Sequence, residues 1–579
     1  MTTQTTRTPR RAKRGDPAAA SEDRVVDNVL GQQVMGDFRP SDLFGTAGSM
    51  AAGALRQPAG TLRASLGFAG ELALLAAGEA HLEPQPGDRR FTDPSWTDNA
   101  VFAGLLQSYL ALSNSLARFA DTSSTDVRQS ERNRFLFNQI SDAIAPSNFI
   151  WSNPAALRKA RDTRGLSLLR GGRNLLDDIR RRRPLPSQVD GSVFRVGGNL
   201  ACSSGSVVVR TEMFELIQYA ASTPKVHKTP ILIVPSIVNK FYVFDLAPGR
   251  SIIEYFVANG FTVFTMVWRN PRKCHDRWGM EDYQDAIDTA IEATCAIRDV
   301  DTVNMWAVCG AGPVAVSLAG YHAAINQRKI NSLLLVVSPL DTQAMSNAPV
   351  IGAFIDRDSP VAPEAVQKAL RKRRVSAREF TLLFAMLRAN DLIWNYWVNN
   401  YLMGNSPTAF DVLYWNEDGT GMTAQFNHDF SEYAHQNPFV TTGAMRVRGT
   451  PIADLSDLGF DSYVLGAKTD HLCIWQGVYR SAQLLGPGSQ FVLGNSGHIQ
   501  TIVCPPTNPK ASFNTNDELP PTAEEWLADS ERNSGSWWPH CVEWTKTRSG
   551  PLVNAPATQG DSAHPALGDA PGTYVHERI

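Results

Sequence analysis

The sequence predicts a doubly wound α/β fold with a mostly parallel sheet, and three observations carry the prediction. From about residue 187 onward, short β-branched runs alternate with helical stretches. The runs are almost wholly apolar, as strands covered on both faces are. A cysteine, an aspartate and a histidine each lie just past one of these runs, where a sheet of this kind places its site.

Taken in order, residues 1–24 are polar and basic without periodicity and are expected to be disordered. Residues 25–186 read as a mainly helical N-terminal domain. Val101 to Phe119 carries apolar residues at three- and four-residue spacing. The segment closes on Arg180 to Arg183, followed by Pro184 and Pro186. That junction reads as a linker, either simply solvated or in contact with an anionic surface. Residues 187–579 form the expected catalytic domain. Ile231 to Pro235, Thr262 to Trp268, Val303 to Val308 and Ser332 to Ser338 read as buried strands. Asp282 to Arg298 and Pro313 to Asn326 are the helices between them. Tyr463 to Gly466 and Gln490 to Leu493 supply two late strands. Between about 341 and 450 the βα rhythm stops, and an aromatic, partly helical stretch follows. It reads as an inserted lid or cap, or as a helical subdomain or dimer surface.

Composition narrows the function. A chain of 579 residues exceeds one ordinary domain, and 43% apolar with 19% charged residues is globular. A net charge of −2 gives no reason to expect nucleic-acid binding. The seven cysteines are odd in number and lack metal-ligand spacing. The basic first residues lack an apolar export core, so the expectation is a reducing, cytoplasmic setting with free thiols. No uninterrupted apolar run reaches the roughly 18 residues of a spanning helix. The nearest, Leu62 to Leu82, is broken by Arg63, Glu71 and Glu79, so no transmembrane segment is expected.

The chemistry centres on Cys309, in V-N-M-W-A-V-C-G-A-G-P. A strand, two small residues, Gly312 and a helix make the layout of a nucleophile elbow, with cysteine where serine is usual. Asp470 and His498 follow in the chain order of the α/β-hydrolase fold. His498 would take the thiol proton and Asp470 would hold the imidazole. The helix start after Cys309 favours thiolate. The Gly310 N–H is one expected oxyanion donor; the second comes from the turn P-S-I-V-N-K, at Val238 or Ile237. A cysteine-bound acyl group is a thioester. A CoA thioester loads it at little thermodynamic cost, and transfer to a hydroxyl runs downhill, provided water is excluded. The other six cysteines read as small core residues, and His471 as structural.

At these residues the chain resembles the polyhydroxyalkanoate synthases, from about residue 88 to the end. The motifs are D-R-R-F-T-D-P-S-W (Asp88 to Trp96), V-P-S-I-V-N-K-F-Y-V-F-D-L, V-W-R-N-P, N-D-L-I-W-N-Y-W-V-N-N-Y-L (Asn390 to Leu402), L-Y-W-N, T-D-H, N-S-G-H-I-Q, G-S-W-W-P-H and A-P-G-T-Y-V-H. The resemblance implies polymerisation of (R)-3-hydroxyacyl-CoA into polyester with CoA release. It makes Cys309 the acyl acceptor, His498 the base and Asp470 the third catalytic residue. It implies a homodimer at the surface of a polyester granule, a cap over the site, and no cofactor or metal beyond the CoA that substrate brings. Gln500, in G-H-I-Q, is similar to the class acting on medium-chain substrates; Ile237, Gln500 and Ser338 are the expected substrate contacts. The family's elbow is G-x-C-x-G-G, whereas here Ala307 and Ala311 replace glycines, and Pro235-Ser236 stands for its usual Pro-Pro. A thioesterase or depolymerase on the same triad, and a weakly active granule-binding paralogue, are the competing readings.

Overall fold

The computed structural model describes residues 88–578 except 123–126 and 346–373, together with a few residues between 67 and 85. The expected tail, 1–24, lies outside the described residues. Eleven strands make the main sheet. In chain order they are β1 (Gly205–Arg210), β2 (Phe214–Tyr219), β3 (Ile231–Val234), β4 (Val263–Trp268), β5 (Val303–Val308), β6 (Ile330–Val336), β7 (Asp461–Ala467), β8 (Ser489–Gly494), β9 (Ser512–Thr515), β10 (Glu531–Ser534) and β11 (Gly568–Asp569). Their spatial order is β10-β9-β8-β7-β6-β5-β3-β4-β2-β1-β11. The six strands from β4 to β8 pair in parallel. The outer strands pair antiparallel, an addition the sequence patterning does not announce.

Strand periodicity divides the core into two layers. Leu232 and Val234 of β3, Met305 and Ala307 of β5, and Leu333 and Leu335 of β6 join one cluster. Their neighbours Ile231, Ile233, Trp306, Val308, Leu334 and Val336 join the other. Successive side chains point to opposite faces, so both faces need cover, and continuous apolar runs result. Helices Met280–Arg298 and Gly312–Ala324 cover the first face through residues such as Ile287, Ile291, Val314 and Leu318. Helices Ile252–Ala258 and Trp537–Lys546 cover the second through Phe256, Trp537 and Val542.

The helical N-terminal segment is not set apart at residue 186. Residues 62–579 form one compact unit. Arg90, in the D-R-R-F motif, bonds Asp88, Asp142 and Asn390, which ties the N-terminal helices to the inserted segment. Helix α1 (Leu166–Arg180) rests on that segment too: Asn174 donates to the carbonyls of Asn400 and Asn405, and Tyr401 donates to Asp178. The insertion between β6 and β7 is mainly helical among its described residues, with π-helical turns at Asn390–Trp394 and Val398–Leu402.

One helix bears on the expected absence of a transmembrane segment. Helix Ala100–Thr122 contains a stretch, Ala100–Ala120, long and apolar enough to cross a membrane by length and composition. Scattered serines, Asn114 and Gln107 interrupt the apolar run without removing the helix's mean apolarity, so a search for an unbroken run passes over it.

Candidate active site

The elbow is built from conformational strain and a close approach. Strand β5 ends in extended backbone at Val308, and Cys309 then takes φ +49°. A left-handed non-glycine residue costs about 1–3 kcal/mol and persists only where its surroundings hold it. Here Ser338 Oγ donates to the Cys309 carbonyl at 2.8 Å. A Cβ added to Gly312 would lie 1.9 Å from that same Ser338 Oγ, so this glycine has no substitute without displacement of the brace. Ala307 and Ala311, where glycines were expected, are fully buried in the first core layer. The position whose Cβ cannot be housed is the one that kept its glycine.

Asp470 and His498 stand past the C-terminal ends of the adjacent strands β7 and β8. His498 opens the short helix His498–Ile502, and its Nδ1 lies 2.6 Å from Asp470 Oδ2. Asp470 Oδ1 accepts the N–H groups of Leu472 at 2.8 Å and Cys473 at 3.0 Å. The carboxylate is thereby aimed before it meets the imidazole, and Nε2 is left for the nucleophile. Cys473 and His498 both act on the Cys309 sulfur. The bond from Cys473 does most to push the Cys309 thiol well below its ordinary range; burial opposes it, and the His498 bond and charge add to it. Burial works against a charged His498, but the Asp470 carboxylate and the Cys309 sulfur hold its pKa well above the usual value. Both directions favour a thiolate–imidazolium pair. His471 is held below its usual value, chiefly by burial, and stays neutral.

Cys473 is the site residue that sequence reasoning missed. It is buried, and its sulfur, an Asp470 oxygen and a His498 nitrogen all lie within 4.8 Å of one another. Its bond to Cys309 and its burial raise its own pKa well above that of a free thiol, so it stays protonated and serves as the donor. The available signal was D-H-L-C, a thiol three residues past the acid. Asp470, Cys473 and His498 have the proximity of a metal-ligand set. The 2.6 Å contact between Asp470 and His498 Nδ1, however, is the length of a hydrogen bond, with a proton between them rather than a cation.

The turn after β3 is clamped by the inserted segment. The Thr420 N–H donates to the Val238 carbonyl at 3.2 Å, Trp415 Nε1 to the Lys240 carbonyl at 2.7 Å, and Tyr242 Oη to Asp418 at 2.9 Å. The buried Lys240 ammonium lies 3.3 Å from Asp418 and donates to the carbonyls of Val575 and Glu577. The closing motif A-P-G-T-Y-V-H is held in turn by fully buried Glu215, which accepts from Thr573 and Tyr574.

Residues 87–256 match the family described as poly-beta-hydroxybutyrate polymerase (PhaC) N-terminus, and residues 229–503 match the alpha/beta hydrolase fold. Poly(3-hydroxyalkanoate) polymerase 2 of Ectopseudomonas oleovorans is 40% identical over 98% of this chain and 99% of its own length. Polymerase 1 of the same organism is 40% identical over 96% and 98%. The PhaC subunit of Cupriavidus necator is 35% identical over 86% and 85%. The chain belongs to the poly(3-hydroxyalkanoate) polymerase family.

Within that family's architecture, the expected substrate contacts separate. Ile237 is 1% exposed and packs in the first core layer, the layer that also holds Cys473. Ser338 is fully buried and braces the Cys309 carbonyl, which gives it a part in supporting the nucleophile. Gln500 is exposed on the helix that carries His498 and remains open to a ligand. Gly310 faces open space, since a Cβ there would meet nothing within 4 Å.

Proposed function

We propose that this polymerase-family chain joins (R)-3-hydroxyacyl groups, of medium chain length, into polyester by acyl transfer through Cys309. The observation that carries the reading is the Cys309–His498–Asp470 constellation, whose charge pairing prepares a thiolate. The Cys309 sulfur attacks the thioester carbon of 3-hydroxyacyl-CoA. The oxyanion is held by the N–H groups of Gly310 and Val238, and the CoA sulfur leaves with the proton from His498. In the next step His498 takes the 3-hydroxyl proton of an incoming 3-hydroxyacyl-CoA. That oxygen attacks the Cys309 thioester, an oxoester forms, and the Cys309 sulfur is released. Renewed attack of Cys309 on the lengthened chain's CoA thioester expels CoA and closes the cycle. Thioester exchange is nearly isoenergetic and oxoester formation is downhill, which gives the cycle its direction. No further cofactor is needed, because CoA arrives on the substrate. The family reading extends to a homodimer at the surface of polyester granules in the cytoplasm, with the inserted segment as the cap that excludes water.

The test is CoA release from (R)-3-hydroxybutyryl-CoA and (R)-3-hydroxydecanoyl-CoA, with product separated into insoluble polymer and free acid. Cys309-dependent polymer, formed faster from the decanoyl substrate, is expected, and Cys309→Ala abolishes it. Gln500→Ala is expected to shift preference toward the shorter chain. Free acid as the main product would establish a thioesterase instead.

A further inference from the structure

Helix α1 is turned inside out. Its buried side consists of Ser167, Gly171 and Asp178, with Asn174 beside them, packed on the inserted segment. A Cβ on Gly171 would lie 1.9 Å from the Tyr401 carbonyl oxygen, so the approach is close. The opposite side presents Leu168, Leu169, Leu176 and Ile179 to solvent, with Leu169 72% and Ile179 61% exposed. Leu169 and Leu176 are two turns apart and nearly in line, and Leu168 and Ile179 flank them. Soluble helices ordinarily place these faces the other way round. Leu166 at the start of the helix, Leu157 on the preceding helix and Trp151, 72% exposed, are further exposed apolar side chains of the same N-terminal stretch. Contiguous apolar surface of this kind marks a contact.

The charge around the stripe says what is contacted. Between Arg158 and Arg183 the chain carries ten lysines and arginines against three aspartates, in a protein whose net charge is −2. Arg164, Arg170, Arg181 and Arg182 make no ion pair among the described residues, and Arg173 and Arg180 share the exposed Asp177. A second copy meeting this face with its own would bring like charges together. A bare polyester surface is uncharged and leaves the arginines unexplained. We propose that the outer face of α1, with Trp151 and the flanking arginines, docks on an anionic phospholipid surface. The leucines enter the acyl boundary, and the guanidinium groups meet phosphates. This is the anionic-surface reading of the Arg180 to Arg183 run.

The experiment is flotation of the purified full-length protein with phosphatidylcholine vesicles and with vesicles half phosphatidylglycerol. Binding to the anionic vesicles, weakened by salt, is expected. Leu169→Glu with Leu176→Glu is expected to lower affinity about tenfold or more. Arg164→Gln, Arg170→Gln and Arg181→Gln together are expected to lower it about a hundredfold, at about fivefold per arginine near an anionic surface. All five residues lie outside the catalytic machinery, so CoA release by each variant without vesicles is expected to match the parent, which certifies folding. Equal binding to both vesicles, or none, would overturn the proposal. So would anionic binding that survives the leucine changes, which would place the contact elsewhere, as on helix Ala100–Thr122. Capture by polyester particles but not by vesicles, or leucine changes that alter only the oligomeric state, would also overturn it and point to the alternative partner.

Discussion

Replacing Cys473 by valine removes one hydrogen-bond donor from the nucleophile and little else. Cys473 lies in the apolar first layer, so valine keeps the site dry and costs only the strain of one added methyl group. What is lost is the S–H donated to Cys309. Hydrogen bonds to charged groups contribute about 1.5–3 kcal/mol, and a thiol is a weak donor, so about 1.5 kcal/mol is a fair value. One pKa unit corresponds to about 1.4 kcal/mol, so the Cys309 pKa should rise by about one unit. The sign follows from the charge: a donor stabilises thiolate, and its loss favours thiol. The assay is the rate of iodoacetamide inactivation across pH, with the alkylated residue identified by mass spectrometry. The inactivation profile of Cys473→Val should move about one unit to higher pH, and Cys473→Ser, which keeps a donor, should restore most of the shift. A profile that stays in place in the valine variant, or moves to lower pH, would refute the donor role.

Three further outcomes are expected. Asp470→Asn removes the charge that opposes burial and holds the His498 pKa up; the alkaline limb of kcat/KM should then move to lower pH, and kcat should fall on the order of 10³–10⁴-fold, as measured by CoA release. Gly312→Ala forces a Cβ onto Ser338 Oγ; thermal or urea unfolding should report a loss of about 1–3 kcal/mol, part of it regained in the double variant with Ser338→Ala. Asp418→Ala strands the buried Lys240 ammonium, whose side chain is 4% exposed; a loss of about 3–5 kcal/mol is expected by denaturant titration, and a loss below 1 kcal/mol would show the pair to be dispensable.

The central sheet was legible because its strands answer to a local rule. Ile231–Val234 and Val303–Val308 are covered on both faces, so their apolar runs are continuous, and the intervening helices carry their own period. The antiparallel edges were not legible. Strand Glu531–Ser534 has no buried residue, and Gly568–Asp569 is two residues long, so neither carries a pattern of its own. The triad could be placed by strand, turn and chain order. Ser338 and Ile237 could not, because proximity to the site along the chain does not say which way a side chain points: one turned to the Cys309 carbonyl, the other into the core.

By itself, then, the sequence determined the parallel sheet, the elbow, the order of Cys309, Asp470 and His498, and the family. Each of these is written in short-range period, turn chemistry or recognisable motif. Only the tertiary structure decided that Cys473 stands beside Cys309, that Ser338 requires glycine at 312, that the closing residues hold Lys240 against the inserted segment, and that α1 faces its leucines outward. These rest on contacts between residues 26 to 337 positions apart in the chain, and no local period records where such partners will meet.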